Sequence, residues 1–324
     1  MKLLKLVPDA TNIDFLKWRN VAMVVSILLI IASIALVAVR GLNLGVDFVG
    51  GQMVRVTFAQ PVHLDEVRKT VRALGQGDPT IQQFGSPNDV SIRMPLPKGD
   101  EGAANAAASR LKAAILAQHP DAKFGSVDTV SGKVSGELFR TGAISMALAM
   151  IAISIYIWLR FEWQFGVGSL FALVHDVALT FGFFALTQLE FDLNSVAAVL
   201  TIIGYSLNDT IVVYDRVREN LRKYRKMEIV PILDLSVNET LARTIMTSLT
   251  MIIALTCLLI WGPEVIFGFT AAMLLGIFIG TYSSIYMAAP ILVWLKVGPH
   301  SFVPKEAAVT QGAERMGPKD GARP

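Results

Sequence analysis

The chain has 324 residues, 53% of them hydrophobic, with a mean hydropathy of +0.53 and a formal net charge of +3. That is too apolar for an ordinary soluble domain. The single cysteine, Cys257, excludes a disulfide framework within the chain, and no close Cys/His pairing suggests a metal site.

The N-terminal arm, residues 1–20, carries Lys2, Lys5, Lys17 and Arg19. An uncharged stretch, Val21 to Val39, follows. It is longer than a usual signal-peptide core and no A-x-A site follows it, so it is expected to be an uncleaved anchor. Residues 40–140 form the next unit. It opens with GLNLGVDFVGG, whose glycines, Gly45, Gly50 and Gly51 among them, permit a bend. Asp47 is placed to cap or hydrogen-bond that turn. Gln52 to Phe58 alternates as a strand, and Pro61 to Gly75 has apolar residues at helical spacing. Thr80 to Phe84 and Asp89 to Met94 read as strands joined by the turn GSPND, and PLPKGDEG reads as a loop. Ala103 to His119 reads as a helix and Lys123 to Val130 as a last strand. The order is βαββαβ, the ferredoxin-like pattern.

Residues 141–297 hold five more stretches near the roughly 20 apolar residues needed to cross about 30 Å of hydrocarbon. They are Thr141–Leu159, Phe165–Leu189, Leu193–Tyr214, Thr244–Gly262 and Val265–Leu295. Pro290 marks a break near the end of the last. The tail, 298–324, is rich in Gly, Pro, Lys and Ala and reads as disordered. Basic residues crowd the arm, the loop from Arg216 to Lys226 and the tail, whereas the loops at Thr187–Asp192 and Pro263–Glu264 have none. This asymmetry places both termini in the cytoplasm and residues 40–140 outside. The net charge therefore reports topology, not nucleic-acid binding.

Charges inside spans are costly, so each needs an account. Asp209, five residues before the end of its span, reads as a wet interfacial group, a structural ion pair or a proton-carrying group. Arg243 opens the fifth span on the same side and either snorkels or meets Asp209. Asn208 and Thr210 are candidates to hydrogen-bond that pair or a neighbouring helix. His175 and Asp176 lie mid-span as a relay or a helix contact; being adjacent, they should point about 100° apart. Arg216 and Glu219, three residues apart, suit a surface ion pair. A protease reading fails. Asn208 replaces the last glycine of the elbow around Ser206, and no G-x-G-D precedes an aspartyl pair of Asp176 and Asp209.

The segments GLNLGVDFVGG, VHDVALT, GYSLNDTIVVYDRVREN and NETLARTIMTSLTM, together with the six-span layout, resemble the smaller, SecF-type half of the SecD/SecF family of bacterial protein export. The resemblance covers most of residues 15–295. Val49 departs from it mildly, standing where many relatives carry a hydroxylated residue. The resemblance implies an α-helical membrane protein with six transmembrane helices in an RND-like arrangement and one periplasmic α+β ferredoxin-like domain between helices 1 and 2. It implies no enzyme and no cofactor beyond the proton as coupling ion. The implied partners are SecD, the SecY–SecE–SecG channel, YajC, the translocating pre-protein and the lipids of the inner membrane. The implied task is late, proton-driven translocation, with Asp209 as the essential membrane carboxylate and Arg243 as the essential arginine. An RND-like exporter of small molecules or lipids is the competing class. It would usually carry two such halves in one chain.

Overall fold

A computed structural model of the chain describes residues 8, 11–75, 77–83, 86–97 and 101–298. Residues 1–7, 9 and 10 of the N-terminal arm, Phe84 and the tail beyond Gly298 lie outside the described residues. A 3-10 turn, Phe15–Trp18, leads into α1 (Arg19–Arg40), and one turn of helix, α2 (Val46–Val49), follows. The small domain then runs β1 (Gly51–Thr57), α3 (Leu64–Arg72), β2 (Thr80–Gln83), β3 (Asp89–Met94), α4 (Glu101–Gln118) and β4 (Lys123–Val130). The bundle continues with α5 (Gly132–Arg160), α6 (Trp163–Thr187), α7 (Leu193–Lys223), α8 (Ile229–Trp261) and α9 (Phe267–Ser283). A π-turn, Ser284–Ala288, joins α9 to α10 (Ala289–Trp294).

The βαββαβ order closes as one sheet, β2-β3-β1-β4, in which every neighbouring pair is antiparallel. Alternation explains the registry. Val54, Val56, Val90 and Ile92 turn inward against Val67 and Val71 of α3 and Leu111 and Ile115 of α4. The last strand, weak in sequence, is held by β1, with an irregularity in register between Val54 and Val56. Gly51 begins β1 at φ 113°, and a Cβ there would stand 2.7 Å from the Met94 carbonyl oxygen. Only glycine tolerates both conditions.

Among the described residues six helical segments are long and apolar enough to cross a membrane. Within them α7 is central, packed against α6, α8 and α9, while α1 rests on α6. Three helices run past the apolar stretches expected of them. Nine residues of α5, Gly132 to Arg140, precede the apolar run, starting from a Ser131 cap that accepts from the Val134 amide. The polar ends of α7 and α8 extend as a helical hairpin with its own apolar seam of Val217, Leu221, Ile232, Leu233 and Val237. Across it Arg216 bonds Glu239 at 2.7 Å as well as the expected Glu219 at 2.6 Å, and Asn220 donates to Ser236 at 3.0 Å. Arg243 therefore lies inside α8, not at its start. Hydropathy alone reports only the lipid-covered part of such a helix. The break expected at Pro290 is realised as the π-turn directly before it, because proline supplies no N–H to the α ladder.

Candidate functional site

Asp209 is 8% exposed and belongs to the buried face of α7. Its two carboxylate oxygens are held from two directions. Thr244 of α8 donates to Oδ1 at 2.5 Å, and Ser284 of the π-turn donates to Oδ2 at 2.8 Å. Arg243 is exposed and forms no ion pair with Asp209 among the described residues. It lies one residue from Thr244 and within electrostatic reach of the carboxylate. The direct Asp209–Arg243 contact considered from sequence is thus replaced by a neutral threonine, because α8 turns Thr244 toward α7 and Arg243 away. Asn208 is exposed, about 100° round α7 from Asp209, and Thr210 bonds the Ser206 carbonyl of its own helix at 3.2 Å. Neither joins the site.

Asp176 and His175 are fully buried. Adjacent on α6, the two side chains meet each other, with His175 Nδ1 2.9 Å from Asp176 Oδ1. Asp176 Oδ2 accepts from Ser283 at 2.8 Å and also from Ser206 of α7. His175 Nε2 is buried and has no hydrogen-bond partner among the described residues.

The two carboxylates are therefore bound by consecutive residues, Ser283 to Asp176 and Ser284 to Asp209. Ser206 and Asp209, three apart on α7, add a second link between the two groups. The result is a polar seam through an apolar bundle, running from His175 to Thr244. Sequence reading picked out the acids but missed Ser283, Ser284 and Thr244. The available signal was a Ser-Ser pair six residues before a proline within an apolar span.

A second cluster joins the small domain to the bundle. Leu44 and Phe191 form an isolated parallel bridge. Asp47 does not cap its own turn; its Oδ2 accepts from the Leu193 amide at 3.1 Å, at the start of α7. Asp192 and Ser195 complete a capping box there. Gly45 faces Glu190, and a Cβ would stand 2.7 Å from the Glu190 Oε1. Gly50 ends α2 at φ 76°. Arg93 donates to the Leu44 carbonyl at 2.5 Å. Arg55 pairs with Asp128 at 2.8 Å and reaches Glu190 at 3.7 Å. Glu190, which the sequence left as a plain loop residue, is mostly buried, and burial pushes its carboxyl up from the ordinary range while Arg55 pulls it back.

A polytopic helical protein with a small α+β domain between its first two spans and ionisable groups sealed in its bundle has the build of a membrane transport subunit. Residues 110–298 match the family described as protein export membrane protein SecD/SecF, C-terminal, and residues 35–62 match the SecD/SecF GG motif. The protein translocase subunit SecF of Rhodobacter capsulatus is 44% identical over 304 residues, covering 90% of this chain and 91% of the relative. That of Cereibacter sphaeroides is 44% identical over 300 residues, covering 91% and 93%. That of Rickettsia akari is 43% identical over 290 residues, covering 89% and 94%. The crystal structure of SecDF, a translocon-associated membrane protein from Thermus thermophilus, superposes with a TM-score of 0.80 at 32% identity. It covers 88% of this chain, which spans only 39% of that longer protein. The chain belongs to the SecD/SecF family of protein export membrane proteins.

Proposed function

We propose that the chain works as the SecF-type subunit of the inner-membrane Sec export machinery. It pairs with a SecD chain and associates with the SecY–SecE–SecG channel and YajC. Both termini face the cytoplasm, and the small domain stands on the periplasmic side. The pair uses proton flow to promote the late, outward stage of pre-protein translocation. The observation that carries this reading is Asp209, a buried carboxylate that α8 and the π-turn hold by one hydroxyl each.

Ionised, Asp209 accepts from both hydroxyls and pins α7 to α8 and to the π-turn. Protonated, it donates from one oxygen and its bonds lose their charge assistance, so its hold on the three elements weakens and they can repack. Arg243, one residue from Thr244, is the countercharge that comes into play as Thr244 lets go. One charge crossing a 100 mV potential supplies about 2.3 kcal/mol, enough to bias a two-state equilibrium about fifty-fold. The bundle passes the motion outward through α7, whose first turn is bonded to Asp47 beside the Gly45–Gly51 segment. Support also comes from the relatives, each named a translocase subunit.

The test is gradient-driven translocation in proteoliposomes containing the SecD partner and the channel. Asp209→Asn and Arg243→Met should each abolish the stimulation by an imposed proton gradient and leave ATP-driven translocation in place. Undiminished stimulation in Asp209→Asn would overturn the proposal.

A further inference from the structure

Ser283 and Ser284 each have one hydroxyl hydrogen and two acceptors in range. Ser283 Oγ lies 2.8 Å from Asp176 Oδ2 and 3.2 Å from the Gly280 carbonyl oxygen. Ser284 Oγ lies 2.8 Å from Asp209 Oδ2 and 3.0 Å from the Thr281 carbonyl oxygen. A hydroxyl donates to one acceptor at a time, and an ionised carboxylate outcompetes a backbone carbonyl because the bond is charge-assisted. When the carboxyl takes up a proton, that advantage is lost. At Asp209 the acid donates to the Ser284 oxygen, and at both sites the serine turns its hydrogen to its own helix carbonyl. Both arrangements leave every one of these atoms bonded, so neither state carries an orphaned buried polar group. Gly280 and Thr281 stand directly before the π-turn, where the hydrogen-bond register of the helix changes. An added hydroxyl bond at those carbonyls acts on the last turn of α9 before the π-turn.

The two switches are not independent. Ser283 and Ser284 are adjacent on one backbone, and Ser206 and Asp209 share one face of α7. Ser206 Oγ also approaches Ser283 Oγ at 3.5 Å. The ionisable groups around the seam are His175 on α6, Tyr205 on α7 and Tyr282 on α9, with Arg243 on α8 turned outward but within electrostatic reach of Asp209. Tyr282 lies with its ring 6.0 Å from that of His175. Among the described residues only His175 of these bonds Asp176, and its buried Nε2 has no hydrogen-bond partner there.

We infer that Asp176 is a second proton-binding group of the bundle, and that the Ser283 and Ser284 hydroxyls couple its protonation to that of Asp209. A proton arriving at His175 Nε2 forms an N–H bond there. The Nδ1–H bond then breaks as its proton passes to Asp176 Oδ1, which leaves a neutral imidazole and a neutral acid; Oδ2, no longer charged, keeps the Ser206 hydroxyl and releases that of Ser283 to the Gly280 carbonyl. The inference deepens the proposed proton-coupled role and rests on that reading for its use, but it is measured without translocation.

The experiment is an infrared pH titration of the carbonyl stretch of protonated carboxyls, with the full chain reconstituted beside its SecD partner. Wild type should give two buried carboxyl bands. Asp209→Asn should remove one and move the midpoint of the other by about one pH unit or more, the mark of coupled sites. Asp176→Asn should remove the second band. Replacing both serines by alanine should keep both bands and abolish the movement, whereas Ser→Thr at both positions should restore it. A spectrum unchanged by Asp176→Asn, or an Asp176 band indifferent to Asp209→Asn, would overturn the inference. If Asp209→Asn still responds fully to the gradient while the two coupled bands are present, the proposed function fails and the coupling stands.

Discussion

Gly280 of α9 sits where α9 crosses α7. A Cβ there would stand 2.9 Å from Ser206 Cβ, 3.2 Å from Ser206 Cα and 3.3 Å from Ser206 Oγ. Non-bonded carbons rest at about 3.5–4.0 Å. The methyl of Gly280→Ala therefore forces the helices apart by roughly 0.5–1 Å, since Cα and Cβ cannot rotate out of the way. Overpacking of this kind costs about 1–3 kcal/mol. Alanine's better helix propensity offsets up to about 1 kcal/mol of that. The offset can be cancelled by comparison with Gly204→Ala on α7, where an added Cβ meets nothing within 4 Å. The difference between the two variants, read by denaturant-driven unfolding of the purified chain in mixed micelles, should be about 1–3 kcal/mol, with Gly280→Ala the less stable. Ser206 also bonds Asp176, so the same methyl should disturb the seam. Equal stability of the two variants would refute the reasoning that this crossing is set by contact with Ser206.

Glu190→Gln should change how stability depends on pH. Burial raises the Glu190 carboxyl above its ordinary value of 4.5, with Asp192 and Asp47 adding to the rise and Arg55 and Arg93 opposing it. A raised carboxyl favours the folded state while protonated, and that contribution is lost as pH climbs through the raised value. Wild type should therefore lose ground to Glu190→Gln in thermal melts as pH rises from about 4.5, and the opposite slope would count against the burial. Tyr214→Phe removes the hydroxyl that donates to the Ala288 carbonyl at 3.0 Å in a fully buried position, which should cost about 1–3 kcal/mol in the same unfolding assay. Asn208→Ala, on the exposed side of α7, should leave the stability of the isolated chain within about 0.5 kcal/mol of wild type.

The spans and the strand order were legible because each depends on a period or a run length that side chains must obey wherever they pack. The ends of α5, α7 and α8 were not. There the helix continues in water on caps, ion pairs and a narrow apolar seam, and no average over hydropathy registers that. The acids of the site were legible because a carboxylate in an apolar run is conspicuous. Their partners were not, since buried serines and threonines most often bond a carbonyl of their own helix, as Ser169 does to Phe165 and Thr180 to Asp176. Nothing in the residue letters separates Ser169 from Ser283. The difference lies in what crosses the helix at that height. Arg243 shows the converse error, in which charge complementarity suggested a contact that the facing of α8 gives to Thr244 instead.

The placement of the polar seam on α7 has a mechanical consequence under the proposed function. A helix of 31 residues is a stiff rod about 46 Å long. Asp209 and Ser206 grip α6, α8 and the π-turn through hydroxyls and carboxylates, and the other end of the rod is bonded through Leu193 to Asp47. The neighbouring Glu190 and Arg55 pair charge across the same junction. A repacking of a few tenths of an ångström at Asp209 cannot be absorbed by bending so short a rod, so it reaches the junction as a tilt or a shift. The segment it meets is one turn of helix between Gly45 and Gly50, whose Phe48 packs against Phe139 of α5 and Phe191. Straining that segment with Gly50→Ala, at a φ of 76° that alanine resists and with a Cβ 3.1 Å from Ser135 Oγ, should therefore impair gradient-driven translocation more than the ATP-driven step, although it touches neither carboxylate. Equal loss of both activities would mean that the residue serves folding alone and that the rod does not act through it.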